Sequence, residues 1–178
     1  MKILEIILIF SLCMITGCNV IPMNSNPQNL LPSKSFIDAD LRLITISMSD
    51  HADTDLISSI QVETAWKNSL EKALFTKKIF SDNSKRKVNI DINVTKYIVG
   101  ITQFDVHIIA EYKIVDRNSD KIIHSEVIDS KGNSNLFFGL NRSNESNGMA
   151  IRANIEKYIA KLEEYALENQ TIPSSRSY

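Results

Sequence analysis

The alternation between residues 88 and 115 constrains this fold more than any other feature of the chain. Val88, Ile90, Ile92 and Val94 alternate with Asn89, Asp91, Asn93 and Thr95, and Phe104, Val106, Ile108, Ala110, Tyr112 and Ile114 alternate with Asp105, His107, Ile109, Glu111, Lys113 and Val115. Side chains two apart share a face of an extended strand, so the spacing predicts two strands with one apolar face and one mostly polar face. A sheet built from them meets a core on one side and water on the other. Asp116-Arg117-Asn118-Ser119-Asp120 has turn chemistry and leads into Lys121 to Asp129, which predicts a hairpin to a further strand.

On both sides of this region the pattern changes. Leu41 to Met48 is short, β-branched and flanked by polar residues, as a first strand would be, and a polar loop from Ser49 to Asp55 follows. Ser58 with Gln61 makes a capping box, and Ile57 with Val62 occupies the positions of a hydrophobic staple. Val62, Ala65, Trp66, Ser69, Leu70, Ala73 and Leu74 then recur at helical steps. After a Ser/Asn-rich stretch read as loop as far as Gly148, a last helix is predicted from Met149, with Ile151, Ile155, Tyr158, Ile159, Leu162, Tyr165 and Ala166 as its stripe. The expected fold class is therefore α+β: a two-layer α/β sandwich in the order β-α-β-β-β-α, with a four-stranded mixed sheet and two helices on one face.

The N-terminus carries a different signal. Ile3 to Ile15 is apolar apart from Glu5 and Ser11, Lys2 precedes it, and Ile15-Thr16-Gly17-Cys18 closes it. That is the architecture of an export signal, too short to span a bilayer before Asn19 and Pro22 arrive. The closing tetrad resembles a bacterial lipobox, and the resemblance implies cleavage before Cys18 and acylation of Cys18, with palmitate among the chains. Residues 1–17 are then a signal peptide, residues 18–37 a lipidated cysteine and flexible tether, residues 38–168 a periplasmic domain and residues 169–178 a disordered tail. A tether of this Asn/Pro/Ser composition would reach about 20 Å. Asn19, in place of an aspartate after the cysteine, favours by the same resemblance the outer membrane and its periplasmic face over the inner membrane. With Cys13 removed and Cys18 acylated, the mature chain has no free thiol and no disulfide.

The strand and helix order, together with Ala150-Ile151-Arg152-Ala153-Asn154-Ile155 and Leu162, resembles small outer-membrane lipoproteins of the YajG and LPS-assembly (LptE) type and the auxiliary lipoproteins of ABC transport systems. The resemblance implies a non-enzymatic accessory or assembly factor of the envelope that binds a protein complex. The alternative it leaves open is a carrier for an amphiphile such as lipopolysaccharide or phospholipid.

Catalysis finds little support in the residues. His51 with Asp50 and Asp53 lies in a polar loop, and His107 and His124 fall in separate strands without the spacing of a metal site. No serine sits in a nucleophile elbow, and the five glycines are isolated, so no phosphate loop is expected. Twenty basic against 21 acidic residues leave a net charge of -1 and no field for nucleic acid. Lys85-Arg86-Lys87 reads as a solvated turn. No enzyme, metal or cofactor is expected. Trp66, Tyr158 and Tyr165 read as core. One apolar run, Leu136, Phe137, Phe138 and Leu140 around Gly139, is the candidate contact with a partner or membrane; the competing reading folds it back over the end of the core.

Overall fold

The structure, a computed structural model, describes residues 21–49, 59–100, 105–136 and 139–170. Cys18, the loop of His51, the cap residues Ile57 and Ser58, Phe104, Phe137 with Phe138, and residues 171–178 lie outside them. The elements are β1 (Asp40–Met48), α1 (Ser59–Lys77), β2 (Lys87–Val99), β3 (Val106–Asp116), β4 (Ile122–Gly132) and α2 (Gly139–Gln170), the order read from the sequence. They form one four-stranded sheet in the order β1-β2-β3-β4. β1 runs parallel to β2 because α1 crosses over between them, and the two hairpin connections make the remaining pairs antiparallel. β1 and β4 are the edges.

Alternation sorts the sheet as expected. Val88, Ile90, Ile92, Val94, Val106, Ile108, Ala110, Tyr112 and Ile114 are all buried under the helices. An irregularity between Val94 and Lys96 then shifts the register and turns Tyr97 and Val99 inward as well. This bulge extends the core-facing stripe past Thr95, where period two breaks in the sequence. At the other end of β3, Asp116 Oδ1 accepts from the backbone N–H of Asn118 at 3.0 Å and of Ser119 at 3.2 Å, and Asp120 takes a left-handed φ of 53°. The hairpin turn is thus held by the aspartate that opens it.

Two expectations are corrected. The last helix begins at Gly139, ten residues before Met149. Its first three turns keep helical spacing, but the inward positions are Ser143, Ser146 and Asn147, all buried. The Tyr97 hydroxyl donates to Asn147 Oδ1, Asn147 Nδ2 donates to Ser143 O at 2.8 Å, and Ser134 N donates to Ser146 Oγ at 2.9 Å. Ser and Asn favour loops when their side chains compete for the backbone. Here the sheet and the β4–α2 connection supply partners for them, and the helix forms through them.

The second correction concerns residues 21–37, expected to be a tether. They form a strap laid along both helices. Ser25 Oγ lies 2.7 Å from Ser69 Oγ and donates to Ala65 O at 3.2 Å, Arg152 donates to Asn24 O at 2.8 Å, and Ser33 N donates to Lys77 O at 2.7 Å. Met23 and Leu30 pack on the core, and Ile37 is part of it. A Cβ on Gly148 would stand 2.6 Å from Asn24 O, so the backbones touch where glycine allows it.

The core lies between the helices and the sheet. Trp66 and Leu70 of α1, Tyr112 and Ile114 of β3, and Ile155 and Tyr158 of α2 are among its fully buried side chains. Tyr112 stacks on Tyr158 with ring centroids 3.9 Å apart. Its hydroxyl accepts from Trp66 Nε1 at 3.0 Å and donates to Asn154 Oδ1 at 2.7 Å. Asn154 Nδ2 in turn donates to Ser130 Oγ at 2.9 Å and to Ile128 O at 3.2 Å. One polar chain thus ties α1, β3, α2 and β4 together.

Candidate functional site

The parallel β1 and β2 and the two helices that follow upward strands fix the polarity of the domain. β1 climbs to the end of the domain where α1 begins, and both helices descend from that end, so the N-termini of α1 and α2 lie together and their C-termini lie together at the other. Three grooves fall at these two ends, and a smaller one of about 400 Å³ runs between β4 and α2, lined by Val127, Asp129, Lys157 and Lys161.

At the first end, Ile21 is pinned on both sides of its residue: its N–H donates to Asn141 Oδ1 at 2.9 Å, and Asn144 Nδ2 donates to its carbonyl at 2.9 Å. Leu140 is exposed one turn before Asn144, on the same side of α2, while Leu136 is half-buried. Of the four candidate contact residues, Leu136 and Leu140 are therefore described; Phe137 and Phe138, and Cys18 with them, lie outside the described residues. Ile60, in the first turn of α1, is also exposed. It lines a shallow groove of about 570 Å³ with Met23, Gln61, Thr64, Ala65 and Asn144, and no ionisable side chain borders it. Neither Ile60 nor Ile21 was singled out in the sequence, because nothing in one dimension brings positions 21, 60 and 140 together.

At the opposite end, a groove of about 810 Å³ lies between Phe36, Asp38, Lys85, Arg86, Tyr165 and Asn169. A neighbouring one of about 560 Å³ is lined by Asp40, Glu71, Phe75, Lys78, Phe80 and Asp82. Both combine aromatic and charged side chains. The basic triplet lies here, and much of its charge is answered: Lys87 Nζ is 2.6 Å from Asp40 Oδ2, and Arg86 Nε is 3.0 Å from Asp116 Oδ2. The hydrogen bond from Lys87, with the charge of Arg42 beside it, holds the Asp40 carboxyl below its ordinary value. Asp116 is lowered by the backbone N–H of Asn118 and then by Arg86. These are charges held in pairs, with Lys85 and Arg86 in the connection before β2 and Lys87 already its first residue.

The tyrosine hydroxyls most shifted by burial sit in the core rather than in either groove. Desolvation pushes the hydroxyls of Tyr97, Tyr112 and Tyr158 upward, so they act as neutral hydrogen-bonding and packing groups. His107 Nε2 lies 3.1 Å from both Asp129 carboxylate oxygens on the water-facing side of the sheet, and the His124 ring lies tilted at 31° against Tyr165 with centroids 4.2 Å apart. Among the described residues no three His, Cys, Asp or Glu side chains are grouped to hold a metal ion, and no helix is long and apolar enough to cross a membrane.

No family model matches the sequence, and a comparison with curated proteins found no match. Solved structures do match the fold. Protein XCC0632 from Xanthomonas campestris, assigned to the family model DUF330, superposes with a TM-score of 0.58 at 10% identity, covering 84% of this chain and 96% of that one. The hypothetical protein CT253 from Chlamydia trachomatis superposes with a TM-score of 0.50 at 10% identity, over 74% of this chain and 99% of that one. A weaker likeness, TM-score 0.33 at 14% identity over 68% of this chain and 99% of the other, is to lipoprotein GNA1162 from Neisseria meningitidis. The chain is thus similar in fold to the first two of these bacterial proteins.

Proposed function

We propose that this chain is a lipid-anchored, periplasm-facing accessory or assembly factor of the bacterial outer membrane, attached through Cys18, that binds a protein partner and catalyses no reaction. The lipobox Ile15-Thr16-Gly17-Cys18 supports the anchor, and the YajG, LptE and ABC-auxiliary resemblance of the sequence supports the role. One observation favours a protein partner over an amphiphile. The layer between helices and sheet, where an amphiphile carrier needs a dry cavity, is filled by Trp66, Leu70, Tyr97, Tyr112, Ile155 and Tyr158, each fully buried. The two grooves at the far end lie outside that layer and mix aromatic with charged side chains. Such surfaces suit a protein partner, with aromatic anchors and a polar rim.

Crosslinking in the native envelope, followed by identification of what is captured, tests this reading. A reproducible envelope protein is expected with the wild-type chain and its loss with Cys18→Ser, which removes the anchor. Recovery of lipopolysaccharide or phospholipid in stoichiometric amount, without a protein, would replace it with the carrier reading.

A further inference from the structure

We infer that the end of the domain formed by Ile21, Ile60 and Leu140 rests on the surface of a lipid bilayer, so that the anchored domain stands upright with its charged grooves pointing away. The inference builds on the acylation of Cys18. It starts from where the strap begins. Ile21 is fixed to α2 through Asn141 and Asn144, and three residue steps separate it from Cys18. Fully extended, three steps span at most about 10 Å. A leash that short holds this end of the domain against the membrane.

What the end presents fits the headgroup zone. Ile60 is 71% exposed, Leu140 54% and Ile21 43%. The groove lined by Ile60, Pro22 and Asn144 carries, among the described residues, only apolar, amide and hydroxyl side chains, so that lining can be lowered into the interface without burying a charge of its own. At the other end Asp38, Lys85 and Arg86 line one groove and Asp40, Glu71, Lys78 and Asp82 the other, a composition that resists lipid. Interfacial segments sit about 5–10 Å into the headgroup boundary, a depth that isoleucine and leucine side chains at the tip of a domain can reach. The 13 residues of β2 run between the two ends, which sets the far grooves about 40 Å from the bilayer at about 3.3 Å per residue.

The test uses the full acylated chain in vesicles of phosphatidylethanolamine and phosphatidylglycerol containing spin-labelled lipid. The mature chain has no other free thiol, so Ile60→Cys, Leu140→Cys and, at the far end, Phe75→Cys each take one environment-sensitive fluorophore. Labels at 60 and 140 should shift to the blue and lose most of their emission, while the label at 75 stays unchanged. Equal quenching at all three sites, or quenching confined to 75, overturns the orientation. The mass of the mature N-terminal peptide separates the two premises: without acyl chains on Cys18 the anchor reading falls and the orientation with it, whereas an acylated chain whose labels at 60 and 140 stay unquenched overturns the orientation alone.

Discussion

The Tyr112 hydroxyl donates to Asn154 Oδ1 at 2.7 Å, a hydrogen bond that joins the middle of β3 to the middle of α2 inside the core. Because the same hydroxyl accepts from Trp66 Nε1 at 3.0 Å, it satisfies groups on both helices at once. Tyr112→Phe should keep the stack on Tyr158 yet leave an indole N–H and an amide oxygen without their partner. A loss of about 1–3 kcal/mol is expected for each buried polar group so stranded, read as a lower urea midpoint with an unchanged slope. Asn154→Ala should cost at least as much, since it also abandons Ser130 Oγ and Ile128 O.

Two glycines should separate strap from core. A Cβ on Gly132 would collide with Ser146 O and stand 2.5 Å from Ala150 N, both backbone atoms of α2. Gly132→Ala should therefore force β4 and α2 apart and lower the thermal midpoint, at a cost of about 1–3 kcal/mol or more. Gly148→Ala meets the strap instead, at Asn24. It should release residues near Asn24 to limited proteolysis while the remaining domain resists.

Acid should weaken the far end first. The native carboxyls of Asp40 and Asp116 lie below the ordinary 3.8, held there by Lys87 and by the turn N–H of Asn118 respectively. Between those lowered values and 3.8 the unfolded chain binds more protons than the native one, so stability is complete above 3.8 and falls as pH drops through the native values. Asp40→Asn should flatten the acid limb of a plot of urea midpoint against pH.

His124 produces a second slope, nearer neutrality. Burial holds its imidazole below 6.5 despite the pull of Glu126 and Glu168, and its Nε2 stands 3.8 Å from Glu126 Oε1, beyond hydrogen-bond distance. The unfolded imidazole takes a proton first as pH falls through 6.5, so stability is complete above 6.5 and declines toward the lowered native value. His124→Phe keeps an aromatic ring against Tyr165 and should remove this slope without changing the acid limb.

The sequence by itself determined the element order, the inward faces of β2 and β3, the turn at Asp116 and the packed role of Trp66 and Tyr158, because each is written as a local period or a local hydrogen bond. It also carries the stretch that resembles a lipobox, a likeness that depends on no fold. Only the tertiary structure decided that the Ser/Asn-rich residues 139–148 are helical and that residues 21–37 are a strap. In both, the residue types that signal loop and tether are small and polar, and their partners lie far along the chain: Asn147 meets Tyr97, and Ser25 meets Ser69. A polar side chain reads as solvated until the group that satisfies it is brought alongside. The same holds for the candidate site. Leu140 is legible as part of an apolar run, but the meeting of Ile21 with Asn141 and Asn144, and of Ile60 with Asn144 in one groove, required three distant segments to converge. Their convergence builds one end of the molecule from segments that are far apart along the chain.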